Sequence, residues 1–113
     1  MRIRDKIKKP RRPVVAYEIL PPREKDGTLN SYAETISYLL SQTHIDAINS
    51  TEVHDEAGRG DRPVANHKRG EPREFGRLLQ DIVGIEAIIN RVVVHDDYDT
   101  QMRWLHETNK DLE

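Results

Sequence analysis

The feature that most constrains this chain is its order of apolar patterns: three short, nearly continuous runs alternate with three segments of helical period, and no hairpin signal separates any two runs. Strands joined through helices must run parallel, with right-handed crossovers. The first run, Val14-Val15-Ala16-Tyr17-Glu18-Ile19-Leu20, is stopped by Pro21-Pro22, neither of which can donate to a ladder. A run apolar on both sides suits a parallel strand covered on both faces. Ser31-Tyr32-Ala33-Glu34 reads as a capping box, and Leu29, Ala33, Ile36, Leu39 and Leu40 form a helical stripe. Ile45 to Asn49 is the second strand. Pro72 opens a second helix with Phe75, Leu78, Leu79, Ile82 and Val83 on one face, and Gly84 closes it as a left-handed cap. Ala87 to Val94 is the third strand. Asp96 or Asp99 then caps a third helix, with Met102, Leu105 and Leu112 on one side and Trp104 as packing.

The expected fold is therefore α/β, a parallel βαβαβα unit with strand order 1-2-3 and its helices on one side. Two closures remain: a doubly wound open sheet, or a sector of a (β/α)₈ barrel. A whole barrel takes about 250 residues, so 113 residues would supply three of its eight units.

Mean hydropathy of −0.80 and 34% charged residues would permit disorder if the apolar residues were scattered, and they are not. No apolar run approaches the roughly 20 residues of a membrane span, no secretory signal is visible, and zero cysteines exclude disulfides and thiolate metal sites. Cytoplasmic location is the expectation. Charge is uneven: residues 1–13 carry seven Lys/Arg and one Asp, net +6, leaving net −8 on the remaining hundred. The basic arm lacks aromatic residues for base stacking, and no nucleic-acid module follows it. It reads as an N-terminal extension lying on the acidic body, with residues 14–113 forming the domain.

Sites in parallel α/β folds lie at the carboxyl ends of the strands. Glu18 is the most informative residue by that rule, because a carboxylate in an apolar strand is costly unless paired or protonated. Burial would raise its pKa and suit it to donate a proton; a structural ion pair with a neighbouring basic side chain is the other reading. Asn49, Ser50 and Thr51 end the second strand, and Asn90 and Arg91 interrupt the third. They either hydrogen-bond a flat heterocycle or cap loops. The charged stretch from Ser50 to Gly70 is too long for an idle connection. Within it, His54-Asp55-Glu56 lacks helical ligand spacing, so no metal is expected. Gly58-Arg59-Gly60-Asp61 is not a phosphate loop. His95-Asp96 reads as a helix cap before a ligand pair.

Tyr17-Glu18-Ile19-Leu20-Pro21-Pro22-Arg23 resembles the first-strand motif of the methylenetetrahydrofolate reductase family, an aromatic residue, Glu, two apolar residues, Pro-Pro and a basic residue. Ile45–Thr51 and Glu71–Val94 fall in register with the second strand and with the following helix and strand, so the resemblance covers residues 14 to 113. It implies a flavin-dependent barrel, with FAD or FMN, that reduces methylene-folate to methyl-folate with electrons from NAD(P)H. By that resemblance Glu18 matches the general acid that protonates the folate. Asn49 matches a flavin-side position that is commonly Thr, and Asn90 a position that is a flavin-contacting His; Ser50 adjoins them. An amide at position 90 can hydrogen-bond but cannot carry charge. The Gly-Asp segment of the family's fourth strand is not within these residues, so the chain is expected to be the first three units of a barrel, inactive alone and self-associating or part of a larger assembly. The competing expectation is a non-catalytic barrel fragment or adaptor that binds a protein partner through its open sheet edge.

Overall fold

The computed structural model of the chain describes residues 2–53, 69–92 and 96–112. A short helix α1 (Ile3–Lys8) precedes β1 (Ala16–Ile19), a 3₁₀ turn (Glu24–Asp26), α2 (Leu29–Leu40), β2 (Ala47–Thr51), α3 (Pro72–Val83), β3 (Glu86–Asn90) and α4 (Tyr98–Leu112). The three strands form one sheet in the order β1-β2-β3, and both pairings are parallel. The expected α/β unit and its strand order are thus present.

Local chemistry explains where α3 starts and stops. The Glu71 carboxylate accepts from the Glu74 amide, Pro72 occupies the first turn where its missing N–H is no loss, and Gly84 ends the helix at φ 74°. Only glycine takes that left-handed conformation without strain, and its amide returns to the Gln80 carbonyl. Helix α2 starts three residues earlier than the Ser31 capping box predicts. Thr28 is its cap, with Thr28 Oγ1 accepting from the Ser31 amide at 3.1 Å, so Ser31 sits in the first turn instead. The cap of α4 is likewise neither Asp96 nor Asp99: Asp97 Oδ1 accepts from the Thr100 amide at 2.8 Å.

Ile19, Ala33, Leu40, Ile48, Phe75 and Leu79 make the core between the sheet and the helices α2 and α3. Alternation along a strand puts Ile48 and Ser50 on that side and Ala47, Asn49 and Thr51 on the other. Gly76 lets α3 approach the sheet closely, since a Cβ there would lie 2.6 Å from Ile89 Cδ1 and 3.3 Å from Ala87 Cβ. Helix α4 lies beside α3, tied by Gln80 Nε2 to the Leu112 carbonyl and by Arg73 to Glu107 and Asp111.

Several expectations need correction. The strands are shorter or displaced: β1 omits Val14, Val15 and Leu20, β2 begins two residues later than Ile45, and β3 ends at Asn90. The first strand is not covered on both faces, because Ala16, Tyr17 and Glu18 are all exposed. Leu39 and Ile82 face solvent, and so do Met102 and Leu105; α4 turns Gln101, Trp104, Thr108 and Leu112 inward instead. His54-Asp55-Glu56, Gly58-Arg59-Gly60-Asp61 and His95 lie outside the described residues.

The basic N-terminal segment does lie on the acidic body, and through specific bonds. Asp46, buried just before β2, accepts from Arg12 at 2.8 and 3.2 Å, from Lys6 Nζ at 3.0 Å and from the Val15 amide at 2.9 Å. The Ile3 amide donates to Glu86 at 2.6 Å. These bonds fasten the segment to the amino ends of β2 and β3.

Candidate functional site

At the other end of the sheet, on the face that carries no helix, register sets Glu18 opposite Asn49 and Asn49 opposite Ile88, with Asn90 two residues farther along β3. Neighbouring strands are about 4.8 Å apart. A carboxylate and two amides therefore run diagonally across all three strands at their carboxyl ends. The Asn90 side-chain amide donates to Asn49 Oδ1 at 2.7 Å, which fixes both side chains and leaves the Asn49 NH₂ group and Asn90 Oδ1 without partners among the described residues.

Glu18 is placed differently from the expectation of burial. It is exposed, and among the described residues it makes no ion pair or hydrogen bond, so the structural ion pair is not formed there either. Glu18 lies on an edge strand, and no described helix covers that face of the sheet. Thr51 shares this face and stands opposite Asn90, and its buried Oγ1 has no hydrogen-bond partner among the described residues. Sequence patterning grouped Thr51 with Asn49 and Ser50 as strand-end residues that bond a heterocycle or cap a loop; its position two residues after Asn49 puts it on the Asn49 face.

Ser50 does not belong to this row. Its side chain points to the helices, is 0% exposed, and donates to the Pro72 carbonyl at 2.9 Å. Strand alternation forbids Asn49 and Ser50 from facing the same ligand. Arg91, one residue past Asn90, also turns away. It bonds Gln101 at 2.8 Å and Asp96 at 2.6 Å and lies 4.5 Å over the Trp104 ring, fastening the end of β3 to α4.

The loops around the row are ordered by backbone bonds. Pro21 and Pro22 are buried, Arg69 donates to the Pro21 carbonyl at 3.0 Å, and the Gly70 amide donates to the Pro22 carbonyl at 2.8 Å. Beyond β2, Glu52 pairs with β3 through its amide to the Asn90 carbonyl and through its carboxylate from the Val92 amide, each at 3.0 Å. The loop after β1 and the segment leading into α3 are thus tied to each other, and Glu52 continues the pairing of β2 with β3 past Thr51.

Chemically, the row offers amide donors, an amide acceptor and an exposed carboxylate on a flat surface. That is a donor set for the edge of a polar heterocycle. Among the described residues no group of three or more His, Asp or Glu is placed to hold a metal ion, and no helix is long and apolar enough to cross a membrane.

Comparison with family models, with curated proteins and with solved structures finds no match. What defines the class is the geometry alone: a parallel α/β unit with polar residues gathered at the carboxyl ends of its strands.

Proposed function

We propose that these residues are the first three units of a (β/α)₈ flavoprotein that reduces methylene-folate to methyl-folate with NAD(P)H, an enzyme of cytoplasmic one-carbon metabolism resembling methylenetetrahydrofolate reductases. The observation that carries the reading is Glu18. The Glu-x-x-Pro-Pro motif puts this carboxylate at the carboxyl end of β1, directly opposite Asn49 and without a partner of its own among the described residues. Support for barrel closure comes from the uncovered side of β3. Tyr98, Met102 and Leu105 form an exposed stripe on α4, where a fourth βα unit would pack.

The donor set fits a flavin: Asn49 and Asn90 would hold the edge of its ring, having one amide group and one carbonyl to spare. The flavin, FAD or FMN, would supply hydride transfer from the nicotinamide to the folate. Ser50 has no part in holding it, because it faces the helices. Glu18 would hold a proton for the folate's bridging nitrogen. Protonation there opens the five-membered ring to an iminium, which is the hydride acceptor. In a closed barrel the face bearing Glu18 would become interior, beside the bound folate.

The test uses the polypeptide that carries these residues within a complete barrel. It should purify yellow and couple NAD(P)H oxidation to methylene-folate reduction. Glu18→Gln should keep the flavin and slow folate reduction by about 10²–10⁴-fold, while nicotinamide oxidation by an artificial acceptor stays near normal. Equal loss of both half-reactions makes Glu18 structural. Colourless protein that takes up no added FAD or FMN refutes the enzyme and favours an adaptor, which the open edges of β1 and β3 would serve.

A further inference from the structure

At the amino ends of the strands, far from Glu18, the docked N-terminal segment encloses a cavity of about 220 Å³. Lys6, Lys9, Arg11 and Arg12 line it, with Asp46 as the lone carboxylate. Asp46 engages Lys6 and Arg12, and the exposed His44 Nε2 lies 3.7 Å from it. Its charge is thus committed. Lys9 and Arg11 have no anionic partner among the described residues, so the wall carries two uncompensated cations. Pro10 and Pro13 restrict the backbone on either side of Arg11 and Arg12, which lowers the entropy lost when these side chains close on an anion. Pro10 and Val14 give the remaining wall an apolar patch. The cavity is smaller than the roughly 300–1,000 Å³ of pockets for drug-sized ligands.

We infer that this cavity is a binding site for a phosphate dianion, held chiefly by Lys9 and Arg11, with Lys6 and Arg12 fixed in the wall by Asp46. The size suits a free phosphate or a phosphorylated sugar. Arg11 suits the planar face of a phosphate oxygen pair, and Lys9 supplies a point charge.

The test is calorimetric titration of the 113-residue protein with inorganic phosphate, with a sugar phosphate and with the same sugar unphosphorylated. Saturable binding of the phosphate-bearing ligands only is expected, weakening as salt is raised. Tighter binding of the sugar phosphate makes the ester the source and an apolar contact its extra contribution; equal binding makes it the free ion. The double variant Lys9→Ala/Arg11→Ala, whose side chains are both exposed, should fold normally by circular dichroism and bind at least tenfold more weakly. Unchanged affinity in that variant, binding of the unphosphorylated sugar, or no saturable binding by the parent protein overturns the inference.

Discussion

Ser50→Ala separates the two faces of the sheet by measurement. The substitution deletes one buried hydrogen bond, from Ser50 Oγ to the Pro72 carbonyl at 2.9 Å, and little else, since the side chain is 0% exposed and alanine nearly matches its shape. A net hydrogen bond is worth about 1 kcal/mol, and a stranded buried acceptor costs about 1–3 kcal/mol. Pro72 is in the first turn of α3, so its carbonyl also stands in line for the amide of Gly76. One lone pair remains served, and the lower figure applies: about 1 kcal/mol. With a urea m-value of about 2 kcal/mol/M the midpoint should fall by about 0.5 M, and the melting temperature by about 4 °C. Asn49→Ala, one residue away, removes only an exposed bond to Asn90 and should stay within about 0.5 kcal/mol. Urea unfolding of the three proteins side by side decides the matter. Equal stability of Ser50→Ala and the parent, or a larger loss in Asn49→Ala, would mean that β2 is turned over and that Ser50 faces the open side.

Phe75, fully buried and packed against Tyr32 with ring centroids 5.7 Å apart and planes tilted by 39°, anchors the core; Phe75→Ala should cost about 3–5 kcal/mol and abolish or severely lower the cooperative urea transition. The Arg12 guanidinium, then the Val15 amide and Lys6, hold the Asp46 carboxyl well below its usual range. Its stabilising effect is therefore present above the ordinary carboxylate pKa and is lost as pH falls through that range toward the depressed value. Asp46→Asn should be less stable at pH 7 and show a flatter decline in urea midpoint between about pH 5 and 3 than the parent. The isolated chain should self-associate with concentration, because β1 and β3 are the outer strands of the sheet and Tyr17 (55% exposed) and Tyr98 (75%) offer exposed rings. Light scattering that reports a monomer at every concentration refutes this.

Element type and order were legible because they depend on local period and punctuation. Pro21-Pro22, Pro72 and Gly84 act within a few residues of themselves, and the structure uses each as the sequence suggests. Faces were harder. Shifting the start of β2 from Ile45 to Ala47 leaves the alternation intact, yet the sequence does not say which parity meets the helices. Ile19 and Ile89, which an incomplete barrel would be expected to expose on its inner face, instead meet the helix layer. The stripe of α4 failed for a related reason: Met102 and Leu105 are apolar, but Arg91 draws the Trp104 and Gln101 face inward. The clasp between the N-terminal segment and Asp46 spans 34 and 40 positions, and no local pattern encodes it. Glu18 was singled out by its motif but is exposed where burial was expected, since exposure of an edge strand depends on what lies beside it.

The open face has a polarity that limits what can cover it. At the amino end Ala47 is buried between Ala16 and Glu86, and the Ile3 amide satisfies the Glu86 carboxylate. At the carboxyl end Glu18, Asn49, Thr51 and Asn90 share the surface, and each of the four keeps a side-chain polar group unpartnered among the described residues beyond the single Asn49–Asn90 bond. An apolar partner laid over them would desolvate a carboxylate, an amide NH₂ group and an amide carbonyl with no return, at about 1–3 kcal/mol for each neutral group and more for the charge. Whatever covers that end must therefore supply hydrogen bonds. Further barrel strands with matching polar residues, or a heterocyclic ligand with donors and acceptors on its rim, meet the condition; the apolar face of a second copy does not. Self-association of the chain should accordingly proceed through the strand edges and the α4 stripe and leave the Glu18 row accessible to a ligand.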